Sequence, residues 1–160
     1  MMKKSFILRT VGIVLLILVV VTTAYTGGGP HAITAFFDPA SLLFVTIIMF
    51  SMLMFAGQLS DYFRAYSIIM GSSDYTLKEL KSSTIAVNLA IKICFLSGIL
   101  GSITGGIMTL MLLDAPMRIG PMAAVAVLTL FYSLFMNTLH YAIKAYLDKE
   151  IVYRENSMGI

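Results

Sequence analysis

Four runs of apolar residues, each bounded by glycine, proline or charge, limit what this chain can become more than any other feature of it. They lie at about residues 6–25, 39–62, 85–113 and 122–146, and each is long enough for a membrane crossing, which needs ~20 mostly apolar residues. With 59% hydrophobic and 12% charged residues in a chain of 160, the protein lacks the polar surface that a soluble fold of this size requires. The pattern predicts an all-α integral membrane protein with four transmembrane helices. It forms one membrane domain over residues 1–160, with no separate soluble domain.

The punctuation between the runs sets the boundaries. Lys3, Lys4 and Arg9 precede the first run, and Gly27, Gly28, Gly29 and Pro30 close it. A basic start, an apolar core and the small residues Thr22 to Ala24 also fit a cleaved leader, the rival reading of this segment. Asp38 and Pro39 open the second helix as N-cap and first-turn proline. The polar segment at about 63–84, with Gly71, Ser72 and Ser73 as a turn, reads as a short loop with some helix at its edges. Asp114, Ala115 and Pro116 stop the third helix, Gly120 and Pro121 precede the fourth, and residues 147–160 form a charged tail.

Every Lys and Arg except Arg118 falls at the N-terminus, in or beside the middle loop, or in or beside the tail, so both termini are expected in the cytoplasm. Lys92, inside the start of the third helix, either snorkels to that interface or faces a wet cavity, and snorkelling is the preferred reading. Tyr25, Phe36, Phe37, Tyr62, Tyr66, Tyr141 and Tyr146 lie near predicted boundaries, where aromatic side chains anchor helices. Cys94 is the only cysteine, which excludes an intrachain disulfide and cysteine-based metal sites.

On the third helix, Gly98, Ser102, Gly105 and Thr109 share a narrow arc flanked by Gly101 and Gly106. On the fourth, Ala126, Thr129, Ser133 and His140 share a face with Met136, bordered by Asn137. Small residues at this spacing let helices approach closely in lipid; the competing reading is a polar lining for an ion path. His140 is a candidate proton carrier, but its place near the cytoplasmic end favours an ordinary interfacial histidine, and His31 falls in the external loop. No Asp or Glu occupies the centre of a predicted helix, whereas an ion path needs an ionisable group at membrane depth, so a partner would have to supply the carboxylate. The residues offer no metal-ligand cluster, no nucleophile beside a base and no phosphate loop, so neither enzyme chemistry nor a cofactor is expected. The charge distribution points to topology within membrane lipids, with no nucleic-acid partner.

Three segments resemble the MotA/TolQ/ExbB family of ion-driven motor subunits. Gly98-Ile99-Leu100-Gly101-Ser102-Ile103-Thr104-Gly105 is similar to that family's run of Gly, two apolar residues, Gly, Thr, Val, any residue and Gly. Ile119-Gly120-Pro121, followed by Ala123, Ala126, Thr129, Tyr132 and Asn137, resembles the last helix of flagellar stators. Phe36-Phe37-Asp38-Pro39-Ala40-Ser41-Leu42-Leu43-Phe44-Val45 is similar to the start of their second helix.

The resemblance implies retention of the first helix and a homopentamer in the bacterial inner membrane. The pentamer would surround two copies of a single-span MotB/TolR/ExbD-like partner whose membrane Asp carries a proton or a sodium ion. It places Ser102 and Thr129 along the ion pathway; the helical stripes add Thr109 and Ser133 to that lining, with Asn137 and His140 as further polar lining. Gly98, Gly101, Gly105 and Gly106 would pack helices, and Pro39 and Pro121 would shape their ends. The sequence also departs from the family: Leu130 replaces the second of two threonines, Ser133 a glycine and Ala142 a proline, and the large cytoplasmic domain of flagellar stators is missing. The expected function is that of a minimal proton-channel and motor subunit, coupling ion flow to rotation of the partner helices. The alternative is a non-conducting membrane scaffold. A small-molecule transporter is disfavoured because no charged coupling residue or broken helix is visible in the sequence.

Overall fold

A computed structural model describes residues 2–29, 34, 36–71 and 75–159, with side chains from Val11 onward. Among the described residues the regular structure is entirely helical: α1 (Met2–Gly28), α2 (Pro39–Phe55), α3 (Leu59–Met70), α4 (Leu77–Leu110) and α5 (Pro116–Met158). Three of them, α1, α4 and α5, are long and apolar enough to cross a membrane, and α2 with α3 makes a fourth candidate if the bent pair counts as one span. The chain is thus built as a helical membrane protein. Its first compact unit ends at Pro39 and its second begins at Ala40.

Within the first unit, α1 exposes apolar side chains such as Val14, Leu15, Leu18 and Val19. The hydroxyls of Thr22, Thr23 and Thr26 donate to carbonyls three or four residues earlier in the same helix, which satisfies polar groups that would otherwise stand bare in an apolar solvent. Gly29, at φ 68°, ends the helix and returns its N–H to the Tyr25 carbonyl. Pro30 and His31 lie outside the described residues.

The expected second helix over 39–62 is interrupted. α2 stops at Phe55, and α3 departs at 111° after a break at Ala56, Gly57 and Gln58. Gly57 sits at φ 67°, a conformation open to glycine at little cost, and the Gln58 N–H turns back to the Leu53 carbonyl at 2.9 Å. The apolar run ends at Ala56, and Gly57 followed by Gln58, Ser60 and Asp61 marks a break that a single helix over 39–62 runs past. α3 is amphipathic, burying Tyr62, Ala65 and Ile68 while exposing Phe63 and Met70. Gly71 closes it in the left-handed conformation. Among its described residues the expected middle loop is therefore mostly helix; Ser72, Ser73 and Asp74 lie outside the described residues.

α4 and α5 are antiparallel, joined by the tight turn Met111–Ala115, in which the Ala115 N–H reaches the Leu112 carbonyl at 2.8 Å. At 1.5 Å per residue, 34 and 43 residues give lengths of about 51 and 64 Å. A hydrocarbon layer is ~30 Å thick. Because the turn ties the two helices at one end, the surplus of both projects at the other. Lys78, Glu79, Lys81, Lys144, Asp148, Lys149, Glu150, Arg154 and Glu155 all fall on that surplus.

Specific contacts hold this charged end together. A capping box starts α4, with the Glu79 N–H donating to Thr76 Oγ1 and the Thr76 N–H donating to Glu79 Oε2. The Thr76 N–H and, beside it, the Thr76 hydroxyl both donate to Glu79 Oε2 and hold the Glu79 carboxyl below its ordinary pKa. Arg154 stacks 4.1 Å from the centre of the Tyr75 ring and donates to the Tyr75 carbonyl at 2.8 Å, while Lys81 pairs with Glu155 at 2.7 Å. Leu80, Val87, Ile68, Tyr62, Leu53 and Leu147 belong to the core beneath them.

Candidate functional site

The two small-residue stripes face one another. A Cβ built on Gly98 would collide with the Ser133 side chain, and one on Gly101 with the Thr129 methyl; one on Gly105 would lie 2.7 Å from the Ala126 Cβ. These three glycines let α4 lie directly against the polar face of α5, so the seam is filled by side chains. Gly106 departs from the expectation, because a Cβ there meets nothing within 4 Å in this chain. It falls one residue beyond the contacting arc.

Hydroxyls occupy the same seam. Ser102 Oγ donates to the Ala126 carbonyl across the two helices at 2.6 Å. Thr129 Oγ1 lies 2.9 Å from Ser41 Oγ and 2.9 Å from the Val125 carbonyl, and Ser41 Oγ is 3.4 Å from that same carbonyl. Ser41 and Thr129 are both buried. Thr129 lies about 20 Å along α5 from Pro116 by helical rise, inside the thickness of a hydrocarbon layer. Ser133 is fully buried and donates to the Leu130 carbonyl at 2.9 Å, and Thr109 donates to the Gly105 carbonyl within its own helix at 2.8 Å.

Ser41 is absent from the residues singled out as candidates, although it heads the buried stripe Ser41, Val45, Met49 and Leu53 of α2. That four-residue spacing was a usable signal: a hydroxyl in register with three apolar core positions needs a polar partner. Pro39 is the first residue of α2, as expected. Pro121 lies inside α5, because that helix begins at Pro116 instead of near Met122. This close to the helix start, the missing N–H of Pro121 removes a single backbone bond.

His140 lies toward the charged end of α5 but inside the protein. It is buried at 2% exposure, with Nε2 2.8 Å from the Tyr62 hydroxyl, which in turn pairs with the Tyr66 hydroxyl at 2.9 Å. Tyr62 is likewise a core residue, whereas Tyr25 and Tyr141 are exposed as boundary aromatics should be. The Tyr62–His140 bond joins α3 to α5 just beyond the bend. Cys94 is buried in the same core.

One turn from His140, an open groove of about 380 Å³ lies between α4 and α5, lined by Ile91, Lys92, Phe95, Leu134, Asn137, Thr138 and Tyr141. Asn137 is buried and its Oδ1 has no hydrogen-bond partner. Lys92 is exposed on the groove wall. Among the described residues, no three of His, Cys, Asp and Glu come together as a metal-binding group.

These features define a helical membrane protein with a buried Ser41–Thr129 hydroxyl pair joining α2 to α5, and a half-buried Ser102 bonding α4 to α5 in the same seam. Compared with known proteins, the chain matches no family model, no curated protein and no solved structure.

Proposed function

We propose that this chain is the shell subunit of an ion-driven membrane channel and motor of the MotA/TolQ/ExbB type. In this reading the bent α2–α3 pair supplies the fourth span and both termini are cytoplasmic. Five copies in a bacterial inner membrane surround two single-span partner helices. The partner's membrane aspartate carries a proton or a sodium ion, and its movement past the hydroxyls of Ser102 and Thr129 drives rotation.

One observation carries the proposal: the three segments on which the resemblance rests meet at one place. Ser41 from the first is bonded to Thr129 from the last, and Thr129 packs on Gly101 of the middle one, beside Ser102. Hydroxyls at this depth can exchange one acceptor for another, as Thr129 and Ser41 already share the Val125 carbonyl. A carboxyl brought beside them would find oxygens able to donate to its charged form or accept from its protonated form. Ser102→Ala with Thr129→Ala should lower ion flux while the assembly persists. Undiminished flux in the double variant sinks the proposal.

A second reading, a non-conducting scaffold, draws on the burial of Thr129 and Ser133 within a single chain, where they serve packing. Proton flux into vesicles reconstituted with and without the co-purified partner separates the two. The scaffold carries none in either case.

A further inference from the structure

We propose that the groove beside Lys92 binds the anionic headgroup of a membrane phospholipid. Among the described residues Lys92 makes no ion pair or hydrogen bond, and its charge stands on an otherwise apolar stretch of α4. A lysine in such a place demands a counter-charge or water. Across the groove, Asn137 is 5% exposed with an unpartnered Oδ1, an acceptor that suits a headgroup hydroxyl.

The depth fits a headgroup. By helical rise Lys92 lies about 27 Å from Leu110, where α4 meets the turn, close to the ~30 Å thickness of the hydrocarbon layer. The groove is also level with the bend between α2 and α3, since Tyr141 on its wall adjoins His140, which bonds Tyr62 of α3. The lining is graded in the same sense. Phe95 and Leu134 lie a turn deeper, toward the Asp114 end, where an acyl chain would run, and Tyr141 lies toward the charged end. Basic pockets between transmembrane helices at the cytoplasmic face are where anionic headgroups bind. A second copy of the chain seated here would remove the Lys92 ammonium from water without bringing a known counter-charge, and a free phosphate would leave the apolar wall unused.

The test is native mass spectrometry of the purified chain in an uncharged detergent, supplied with equal amounts of phosphatidylglycerol and phosphatidylcholine. The wild type is expected to retain phosphatidylglycerol in preference, with the preference falling about fivefold in Lys92→Gln and returning in Lys92→Arg. Lys78→Gln, a charge removed from the far end of α4, should leave it unchanged. Equal retention of both lipids, a preference that survives Lys92→Gln, or displacement of the lipid by millimolar inorganic phosphate would overturn the proposal. So would a self-associated species, free of lipid, that is lost on Lys92→Gln. Because Lys92 is exposed, circular dichroism of the variants should match the wild type. The proposal stands independently of the motor reading.

Discussion

The Thr129 hydroxyl donates to Ser41 Oγ at 2.9 Å, joining α5 to the first turn of α2 where neither residue is open to solvent. Polar side chains at membrane depth that satisfy one another fix helix register. Interhelical bonds of this kind are worth ~0.6 kcal/mol on average and up to about 1.7. A double-mutant cycle of Ser41→Ala and Thr129→Val should therefore show coupling near 1 kcal/mol in detergent unfolding. Additive effects would mean that the pair contributes nothing beyond its separate contacts.

The glycines of α4 should divide into two classes. Gly98→Leu and Gly101→Leu force α4 away from Ser133 and Thr129, and should each cost ~1–3 kcal/mol through overpacking. Gly106→Ala meets open space and should leave stability unchanged or raise it by up to about 1 kcal/mol. Thermal unfolding followed by circular dichroism checks the order. A Gly106 variant as damaged as the Gly98 variant would point to a neighbour outside this chain.

Tyr62→Phe removes the hydroxyl between Tyr66 and His140 and leaves a buried ring nitrogen without its partner. The expected loss is ~1–3 kcal/mol. Amide hydrogen exchange should rise first in α3, which this bond ties to α5, and less in the α4–α5 seam. Uniform loss of protection would show that α3 is not a separately anchored element.

The Glu79 carboxyl is held below its ordinary pKa by the backbone and side-chain bonds from Thr76. Its capping contribution is therefore fully present above the carboxylate's unfolded value and is lost as pH falls through the depressed folded value. Exchange protection of the first turn of α4 should drop in that acidic window and be flat from there to neutrality. Glu79→Gln should remove the pH dependence. An unchanged profile in that variant would assign the transition to another group.

Much of the membrane architecture was legible because apolar length and the placement of charge are strong signals. α1, α4 and α5 fall on the apolar runs, although α4 begins at Leu77 and α5 continues to Met158 through the segment expected as a tail. The facing of the Gly98–Gly105 stripe on the Ala126–Ser133 stripe was legible too, since a helical wheel places both and small residues permit the approach. The bend at Gly57 was missed although Gly57, Gln58, Ser60 and Asp61 interrupt the apolar run there, and the helical character of the middle segment was hidden under its many polar residues. Ser41 and the burial of Tyr62 and His140 were missed for a shared reason. Each depends on which surfaces meet after the 111° turn, which no periodicity within one helix records.

The most direct measurement of the central claim is the intact mass of the assembly extracted gently from its own membranes. The account predicts five copies of this chain holding two copies of a small single-span protein with an aspartate in its membrane segment. A monomer or dimer that persists across mild detergents, without such a partner, would contradict it and leave the scaffold reading in its place.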